Sequence, residues 1–234
     1  MPRAWQALRW AVPAALAAAA AAGGAPPAFN DTKCPGFWEV RAPHLVEDFK
    51  IEQIEGFYYE LALHDWTQFP LCVTPPKCIT ANKTLQTHSD GIRFVNDAWS
   101  MQCFGKPYPQ RLLFNVTDEP AYLRGYVPDT VIPFLPHGIV SSVLFPDTVV
   151  DFKPGPEGWV VEFQCVEALG GVRFVGVNYY SKAKTEEAFA QMDAAARARG
   201  LGFFIDKGFG LKRVSHEDCP LEPDSTGSPA GILV

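Results

Sequence analysis

Short strand-forming runs at nearly even spacing fill the chain between residues 57 and 180, and this spacing constrains the fold more than any other feature. Gly, Pro, Asp and Asn separate the runs, and we expect the stretch Gly-Lys-Pro-Tyr-Pro at residues 105–109 to be a turn. The predicted strands are Phe57–Leu63, Lys77–Gln86, Gly91–Cys103, Arg111–Val116, Ala121–Val127, Val140–Phe145, Thr148–Phe152, Gly158–Val166 and Val172–Tyr180. Eight or nine strands in this order indicate an antiparallel barrel or sandwich.

One amphipathic helix is predicted after the strands, over Lys184–Arg199. Phe189, Met192 and Ala196 recur at helical spacing and give this segment one apolar face. A further short strand is expected at Leu201–Ile205. Many strands followed by a single late helix fit an all-β fold, an eight-stranded antiparallel up-and-down barrel with the C-terminal helix packed on its outside.

The N-terminal residues 1–25 are predicted to be a signal peptide. Arg3 and Arg9 precede the apolar run Ala11–Ala22, and small residues follow it, which predicts cleavage near residues 22–28. The run is shorter than the roughly 20 apolar residues that a membrane span needs, so we expect no stable membrane span. A signal peptide can also begin the targeting of a protein to an organelle, so secretion and an organelle lumen both stay open as destinations.

The rest of the chain has the length and composition of one globular domain, which we place at residues 30–219. The segment 220–234 is rich in Pro, Gly and Ser and is predicted to be a disordered tail. The net charge is −6 and no block of Lys or Arg is present, so a nucleic-acid partner is not expected. The sequence does not indicate an oligomeric state.

An even number of cysteines follows the predicted signal peptide, namely Cys34, Cys72, Cys78, Cys103, Cys165 and Cys219. In an exported chain this pattern predicts three disulfides, whose pairing the residues alone leave open. No two cysteines have C-x2-C spacing and no histidine lies three to five residues from another, so no metal site is predicted.

Three Asn-x-Ser/Thr sequons, at Asn30, Asn82 and Asn115, predict glycosylation. A glycan requires its Asn to point away from the barrel, so the alternation along a strand predicts which neighbouring residues point inward. The ligand-binding residues predicted from this alternation, and from the aromatic loops at the barrel mouth, are Tyr58, Glu60, Ala62, His64, Trp66, Ile79, Ala81, Lys83, Leu85, Leu112, Phe114, Val116 and Phe134.

The predicted interior is mostly apolar, with Glu60 and Lys83 as polar handles. Such an interior suits a fatty acid, sterol, retinoid or carotenoid-like molecule, in which a few polar groups orient an apolar body. We expect the cavity to open near the Asp65–Pro70 loop and the Val131–His137 loop, with the Pro-rich segment Ile132–Pro136 on its rim. A filled interior without a ligand is the alternative.

Several segments are similar to those of the lipocalin family, and within it of apolipoprotein D and its insect relatives. Gly56–Glu60 resembles the G-x-W opening of the family's first strand, with Tyr58 where Trp is usual. Lys77–Leu85 resembles the second strand with its cysteine and sequon, and Asn115–Ala121 resembles a segment with a second sequon. Val150–Phe152 is similar to the family's T-D-Y motif.

This resemblance covers nearly all of residues 34–219 and implies a lipocalin-like barrel that holds a small hydrophobic ligand. It also implies two disulfides, Cys34–Cys165 and Cys78–Cys219, which leaves Cys72–Cys103 as the third. The Arg that the family usually has just before its helix has no counterpart in Val177–Ser181.

A second resemblance joins Ala195–Cys219 to the lipocalin-like catalytic domain of violaxanthin de-epoxidases, plastid enzymes that reduce carotenoid epoxides with ascorbate. Those enzymes carry an acidic catalytic residue in the loop after the first strand, where this chain has Asp65. The Cys-rich and Glu-rich segments that flank their barrel have no counterpart in this sequence.

No strong catalytic motif is present; a G-x-S-x-G nucleophile elbow, for example, is missing. We therefore favour a secreted or lumenal binding and transport protein with no catalytic residue and no cofactor. An enzyme that uses Asp65 on a carotenoid or lipid in the same barrel is the alternative. A third class is a glycoprotein with a filled barrel that serves only protein interactions.

Overall fold

The computed structural model describes residues 27–65, 67–68, 77–128, 144–168 and 170–219. Several predicted features lie outside these ranges, namely the signal peptide, Trp66, Cys72, Phe134, the tail 220–234, half of the Asp65–Pro70 loop and all of the Val131–His137 loop.

Eight antiparallel strands form a closed barrel, which confirms the predicted architecture. They are β1 (Gly56–Asp65), β2 (Thr80–Thr87), β3 (Arg93–Cys103), β4 (Lys106–Val116), β5 (Tyr122–Tyr126), β6 (Phe145–Lys153), β7 (Trp159–Ala168) and β8 (Gly171–Ser181). Each strand from β2 to β7 pairs with the next one along the chain, and β1 closes the barrel by pairing with both β8 and β2. A short strand β9 (Lys212–Arg213) pairs with β1 at Ala62 and Leu63, beyond the part that contacts β2.

The turn expected at residues 105–109 is wrong, because the hairpin turns at Phe104-Gly105 instead. These two residues have φ angles of 51° and 73°, which a tight two-residue hairpin requires. Pro107 and Pro109 belong to β4, in a stretch that pairs with β3 but lies beyond the short section paired with β5. A proline facing that open edge removes no ladder hydrogen bond.

Two other strand predictions are corrected. The predicted strands Val140–Phe145 and Thr148–Phe152 are joined in the single strand β6, which begins at Phe145, because Pro146 does not interrupt it. Residues 140–143 lie outside the described ranges. Leu201–Ile205 is not a strand, since Gly202–Ile205 is a short helix. Its Phe204 and Ile205 are buried against the outside of the barrel, so packing outweighs the strand propensity of this apolar run.

The helices are α1 (Phe37–Val40), α2 (Leu45–Asp48), a 3₁₀ helix (Ile51–Ile54), α3 (Glu186–Ala198) and α4 (Gly202–Ile205). The predicted late helix is α3, and it packs on the outer wall over β6, β7 and β8. The Thr185 hydroxyl caps it by accepting a hydrogen bond from the Ala188 N–H at 3.1 Å. Met192 and Ala196 are fully buried on the predicted apolar face. Within the described residues, no helix is long and apolar enough to cross a membrane.

Apolar residues form two layers on opposite sides of the barrel wall. The inner core lies inside the barrel, and its members include Tyr58, Leu63, Ile79, Ala81, Val95, Trp99, Met101, Phe114, Leu123, Val149, Val160 and Tyr180. The outer layer lies between the wall and the helices, and its members include Ala62, Val150, Val161, Phe163, Val177, Tyr179, Met192 and Phe204. Because side chains alternate along each strand, the same strand contributes residues to the inner core and to the outer layer.

The floor of the barrel contains a cation over an aromatic ring. The Lys182 ammonium lies 5.1 Å from the centre of the Tyr58 ring and donates to the Glu55 carbonyl at 3.0 Å. Gly56 has a φ of 135°, and a Cβ there would lie only 3.0 Å from the Lys182 side chain. The resemblance leads us to expect an Arg just before the helix and a Trp at position 58. In this chain the ammonium of Lys182 instead lies over the ring of Tyr58.

Two predicted disulfides are present, Cys34–Cys165 with Cα atoms 5.7 Å apart and Cys78–Cys219 with Cα atoms 5.6 Å apart. The first ties the N-terminal segment to β7, and the second ties the start of β2 to the C-terminal segment. Cys103 is also disulfide-bonded, and its predicted partner Cys72 lies outside the described residues.

We expect the double variant Cys34→Ala/Cys165→Ala to lose about 4–5 kcal/mol of unfolding free energy, because the chain-entropy model gives that value for loops of this length. The two loops span 131 and 141 residues, so Cys78→Ala/Cys219→Ala should lose a similar amount. Urea unfolding measures both variants. A loss confined to one of them would mean that local packing, and not loop closure, sets the contribution.

Candidate functional site

In the described part of the chain, six Asp, Glu and Lys side chains lie buried inside the barrel, within a mainly apolar inner core. We call this set the charge cluster, and its members are Glu60 and Asp65 on β1, Lys83 on β2, Asp97 on β3, Asp147 on β6 and Glu162 on β7. None of the six is more than 5% exposed. Isolated buried charges are costly, so each of these groups needs a partner or a neutral form.

Lys83 is the centre of the cluster. Its ammonium lies 2.7 Å from Asp97 Oδ2 and 2.9 Å from Glu162 Oε1. The rings of Tyr180 and Phe114 flank it, with centres 4.8 and 5.5 Å away. Burial alone would lower the pKa of Lys83, but the attraction of the two carboxylates raises it above its usual range, so the side chain stays charged.

The carboxyl groups outnumber the single amine by five to one among these six residues. Burial, reinforced by the Asp65 charge, raises the pKa of Glu60 well above its usual range. Burial, reinforced by the Glu162 charge, does the same to the pKa of Asp147. Because one ammonium cannot balance five carboxylates, Glu60 and Asp147 are driven toward their protonated, uncharged forms.

Glu60 has hydrogen-bond partners on two other strands. The Trp99 indole N–H donates to its Oε2 at 3.4 Å. With its amide oriented to satisfy both neighbours, Asn178 donates to Glu60 Oε1 at 3.0 Å. Asp65 accepts from the Thr67 backbone N–H at 2.8 Å and from the Gln68 amide at 3.3 Å. Burial still raises the pKa of Asp65, against these hydrogen bonds.

Asp147 has no such partners. It is 1% exposed, and neither carboxyl oxygen makes a hydrogen bond with any described residue. Gln164 faces it across the β6–β7 pair and acts to lower the pKa of Asp147, but no hydrogen bond of normal geometry joins the two side chains. The Tyr58 hydroxyl and Asp97 Oδ1 are likewise buried with no partner in the described part of the chain. Unused hydrogen-bonding capacity is therefore concentrated inside the barrel.

Most of the predicted ligand-binding residues do point into the barrel. Those in the inner core or the charge cluster are Tyr58, Glu60, Ile79, Ala81, Lys83, Leu85, Leu112, Phe114 and Val116. Trp66 and Phe134 lie outside the described residues. Whether these side chains bind a ligand stays a prediction.

The inward orientation predicted for Ala62 and His64 is wrong. A β-bulge between Glu60 and Ala62 adds one residue to β1, so Leu63 faces the inner core and Ala62 joins the outer layer. His64 also points outward, where its ring stacks on Phe209 at 4.4 Å and its Nδ1 lies 3.2 Å from the Gly210 carbonyl.

The sequence reasoning missed Asp97, Asp147 and Glu162. A usable signal was present, since each of them occupies an inward position of its strand. Asp97, for example, lies two residues from inward Val95 and two from inward Trp99. Charged residues on the inward side of a predicted barrel strand therefore mark this cluster from the sequence alone.

The sequons differ in exposure. Asn82 is exposed on the outer face of β2, as its predicted glycan requires. Asn30 is exposed as well, and the Thr32 hydroxyl donates to its side-chain oxygen at 2.6 Å. Asn115 is half-buried, and its side-chain oxygen is enclosed. Glycosylation stays a prediction, and the first two sites are the more accessible.

A separate cavity of about 200 Å³ lies on the outer wall, beside the Cys34–Cys165 disulfide. Its aromatic wall includes Phe37 and Tyr122, whose rings stack at 4.5 Å. Among the described residues, no group of three His, Cys, Asp or Glu side chains is arranged to hold a metal ion.

We expect Lys83→Met to destabilise the barrel by about 3–5 kcal/mol, because it leaves two buried carboxylates without a counter-charge. Burial already raises the pKa of Glu162, and loss of the Lys83 charge would raise it further above that of the unfolded chain, so the folded state binds the extra proton. The variant's unfolding free energy should therefore fall more steeply than that of the wild type between about pH 5 and about pH 8. Urea unfolding at both pH values measures this.

The exposed Lys106→Met is the matched control for that experiment and should change the unfolding free energy by less than about 0.5 kcal/mol. A Lys83→Met variant as stable as the wild type at both pH values would contradict the buried ion-pair assignment.

No protein-family model and no curated protein matches this chain. Solved structures do match it. Apocrustacyanin C2 aligns with a TM-score of 0.57 at 12% identity, over 81% of this chain and 92% of that one. Apocrustacyanin C1 gives a TM-score of 0.56 at 12% identity, with the same coverage of both chains. Lobster apocrustacyanin A1 gives 0.53 at 9% identity, over 80% of this chain and 89% of that one. The likeness is one of fold, and this chain shares the lipocalin-type barrel of the apocrustacyanins.

Proposed function

We propose that this protein is exported and binds a small, mostly apolar lipid inside its barrel. The observation that carries the proposal is the charge cluster, set within an aliphatic and aromatic inner core. A barrel that only had to be stable would gain from apolar residues at these positions. An apolar molecule with a polar end group fits such an interior, since it contacts the inner core and hydrogen-bonds to the cluster.

The candidate ligands are those that combine a large apolar body with a few oxygens, namely a fatty acid, sterol, retinoid or carotenoid-like molecule. The finer resemblance to apolipoprotein D supports the same class of function, transport of a small hydrophobic molecule. Leu112, Phe114 and Val116 line one wall of the proposed site along β4.

Export is supported by the predicted signal peptide, the sequons and the disulfides. The predicted signal peptide and sequons belong to a chain that enters the secretory route. The disulfides Cys34–Cys165 and Cys78–Cys219 need an oxidising compartment to form and persist. We propose either the extracellular space or an organelle lumen as the destination.

Leu112→Arg tests the interior site, because it introduces a charged side chain into the inner core. A buried charge without a partner is costly there, and the larger side chain also occupies the space of a ligand. We expect a fluorescent fatty-acid or retinoid probe to bind the wild type at micromolar concentration or below and to lose about tenfold or more in affinity in the variant. Fluorescence titration measures both.

Ser100→Arg is the matched control, since Ser100 lies on the outer face of the barrel between inward Trp99 and Met101. It should bind the probe as the wild type does. Mass spectrometry of lipid that co-purifies with the native protein identifies the ligand class. If no probe binds and no lipid co-purifies, the filled-barrel glycoprotein replaces this proposal.

An enzyme that opens a carotenoid epoxide is the second candidate, favoured by two buried acids of β1, Glu60 and Asp65, which interact electrostatically. Burial raises the pKa of both carboxyls, and the Asp65 charge raises that of Glu60 further. A protonated carboxyl beside an apolar site can donate to an epoxide oxygen. In such a de-epoxidation ascorbate supplies two electrons, the epoxide oxygen leaves as water, and dehydroascorbate and an alkene form.

Asp65→Asn separates the two functions. For a carrier, the change keeps the size and most hydrogen bonds of the side chain, so probe affinity should change by less than about threefold. For a de-epoxidase, ascorbate-dependent turnover of violaxanthin should exist in the wild type and fall about 100-fold or more, since the acid is lost. An absorbance assay with violaxanthin decides, and robust wild-type turnover would make the enzyme the first choice.

A further inference from the structure

Asp147 is a buried carboxyl group with both oxygens free inside the barrel. We propose that Asp147 is the polar anchor for an uncharged, hydroxyl-bearing lipid, and that the barrel discriminates against lipid carboxylates. This inference rests on the proposed function and names its ligand class.

The first argument is the unused hydrogen-bonding capacity of Asp147. Its side chain is 1% exposed, so bulk water does not satisfy it, and no described residue does. Leaving a buried polar group without a partner is costly, and such groups in folded proteins call for a ligand, an ion or an enclosed water. A ligand in the interior removes this cost when its polar group reaches Asp147.

The second argument is the surroundings of Asp147 on the wall of the barrel. Inward Phe145 and Val149 flank it along β6, so its neighbours on its own strand are apolar, while Gln164 faces it across the β6–β7 pair. The Phe145 ring lies in a notch that Gly125 leaves open, where a Cβ would come within 2.4 Å of the ring. Its edge meets Phe114, with ring centres 5.9 Å apart. Apolar contacts beside one polar group match the carbon skeleton next to a lipid hydroxyl.

The third argument is that the described part of the interior offers no free cation to an anionic ligand. Lys83 is the one basic side chain of the charge cluster, and Asp97 and Glu162 already hold it at 2.7 and 2.9 Å. A fatty-acid carboxylate would add another negative charge beside five carboxyl groups. A neutral hydroxyl avoids this repulsion.

A hydroxyl also fits Asp147 in either protonation state. It donates to an ionised carboxylate and accepts from a protonated carboxyl. The unpartnered Tyr58 hydroxyl and Asp97 Oδ1 in the same interior offer further partners of the same kind. A keto group or an epoxide can only accept, so it uses less of this capacity.

Retinol and retinoic acid test the proposal directly, because they share one apolar body and differ in the end group. We expect the wild-type protein at about pH 7.5 to bind retinol at least about tenfold more tightly than retinoic acid. Asp147→Leu should remove that preference by weakening retinol binding about tenfold or more while retinoic acid binding holds or improves. Fluorescence titration of both ligands measures the four affinities.

Asp147→Asn keeps a donor and an acceptor at this position and should retain the preference for retinol. Asp118→Leu, on the exposed loop after β4, is the matched control and should change neither affinity. The thermal midpoint of ligand-free Asp147→Leu should not fall below that of the wild type, because the change replaces an unpaired buried carboxyl with an apolar group.

Equal binding of the two ligands by the wild type, or an equal loss of both in Asp147→Leu, overturns the inference but leaves the proposed function standing. A preference that Asp147→Leu leaves intact overturns it as well, and points to an enclosed water on Asp147. If retinol, retinoic acid and a fluorescent fatty acid all fail to bind the wild type, the proposed function fails together with the inference. Should Asp147→Leu not fold, loss of the preference in Asp147→Asn contradicts the anchor role.

Discussion

The barrel depends on β1, because this one strand makes three sets of contacts. It pairs with β8 along most of its length, with β2 from Gly56 to Tyr59, and with β9 at Ala62 and Leu63. The bulge after Glu60 lies where the partner changes from β2 to β9. The Cys78–Cys219 disulfide then holds the C-terminal segment at this point. Closure removes the exposed sheet edges and also fixes which side chains of β1 reach the interior.

The charge cluster is an arrangement that stability alone does not favour. Lys83 links the three strands β2, β3 and β7 through its ion pairs with Asp97 and Glu162. Burying these charges costs desolvation free energy, which the two ion pairs offset. Glu60 is satisfied by Trp99 and Asn178. Asp147 has no equivalent partners, and a position that could hold an apolar residue instead holds an acid. Residues that break a local rule without a structural gain are typical of functional sites.

The sequence predicted most of the fold because strand alternation, turn residues and cysteine order are local signals. It placed the inward residues of β2 and β4 correctly, since both strands run without a bulge through the predicted positions. The orientation of Ala62 and His64 was not predictable, because one inserted residue inverts the alternation and leaves no mark in the residue types. The Lys83–Glu162 ion pair joins strands far apart in the sequence, and only the closed barrel brings these two residues together, whereas Asp97 faces Lys83 on the next strand along the chain. Lys182 was missed because a lysine at this place differs from the Arg that the resemblance led us to expect.

The floor of the barrel shows how this fold persists while its residues change. Identities of 9–12% accompany TM-scores of 0.53–0.57, so few individual side chains are needed for the architecture. In this chain the floor holds the Tyr58 ring under the Lys182 ammonium. Gly56 leaves the space for that lysine. The interior is under no such constraint, since any inward residues of suitable volume can fill it. The five buried acids therefore do not follow from the architecture, and under the proposed function their excess over the single amine disfavours an anionic ligand.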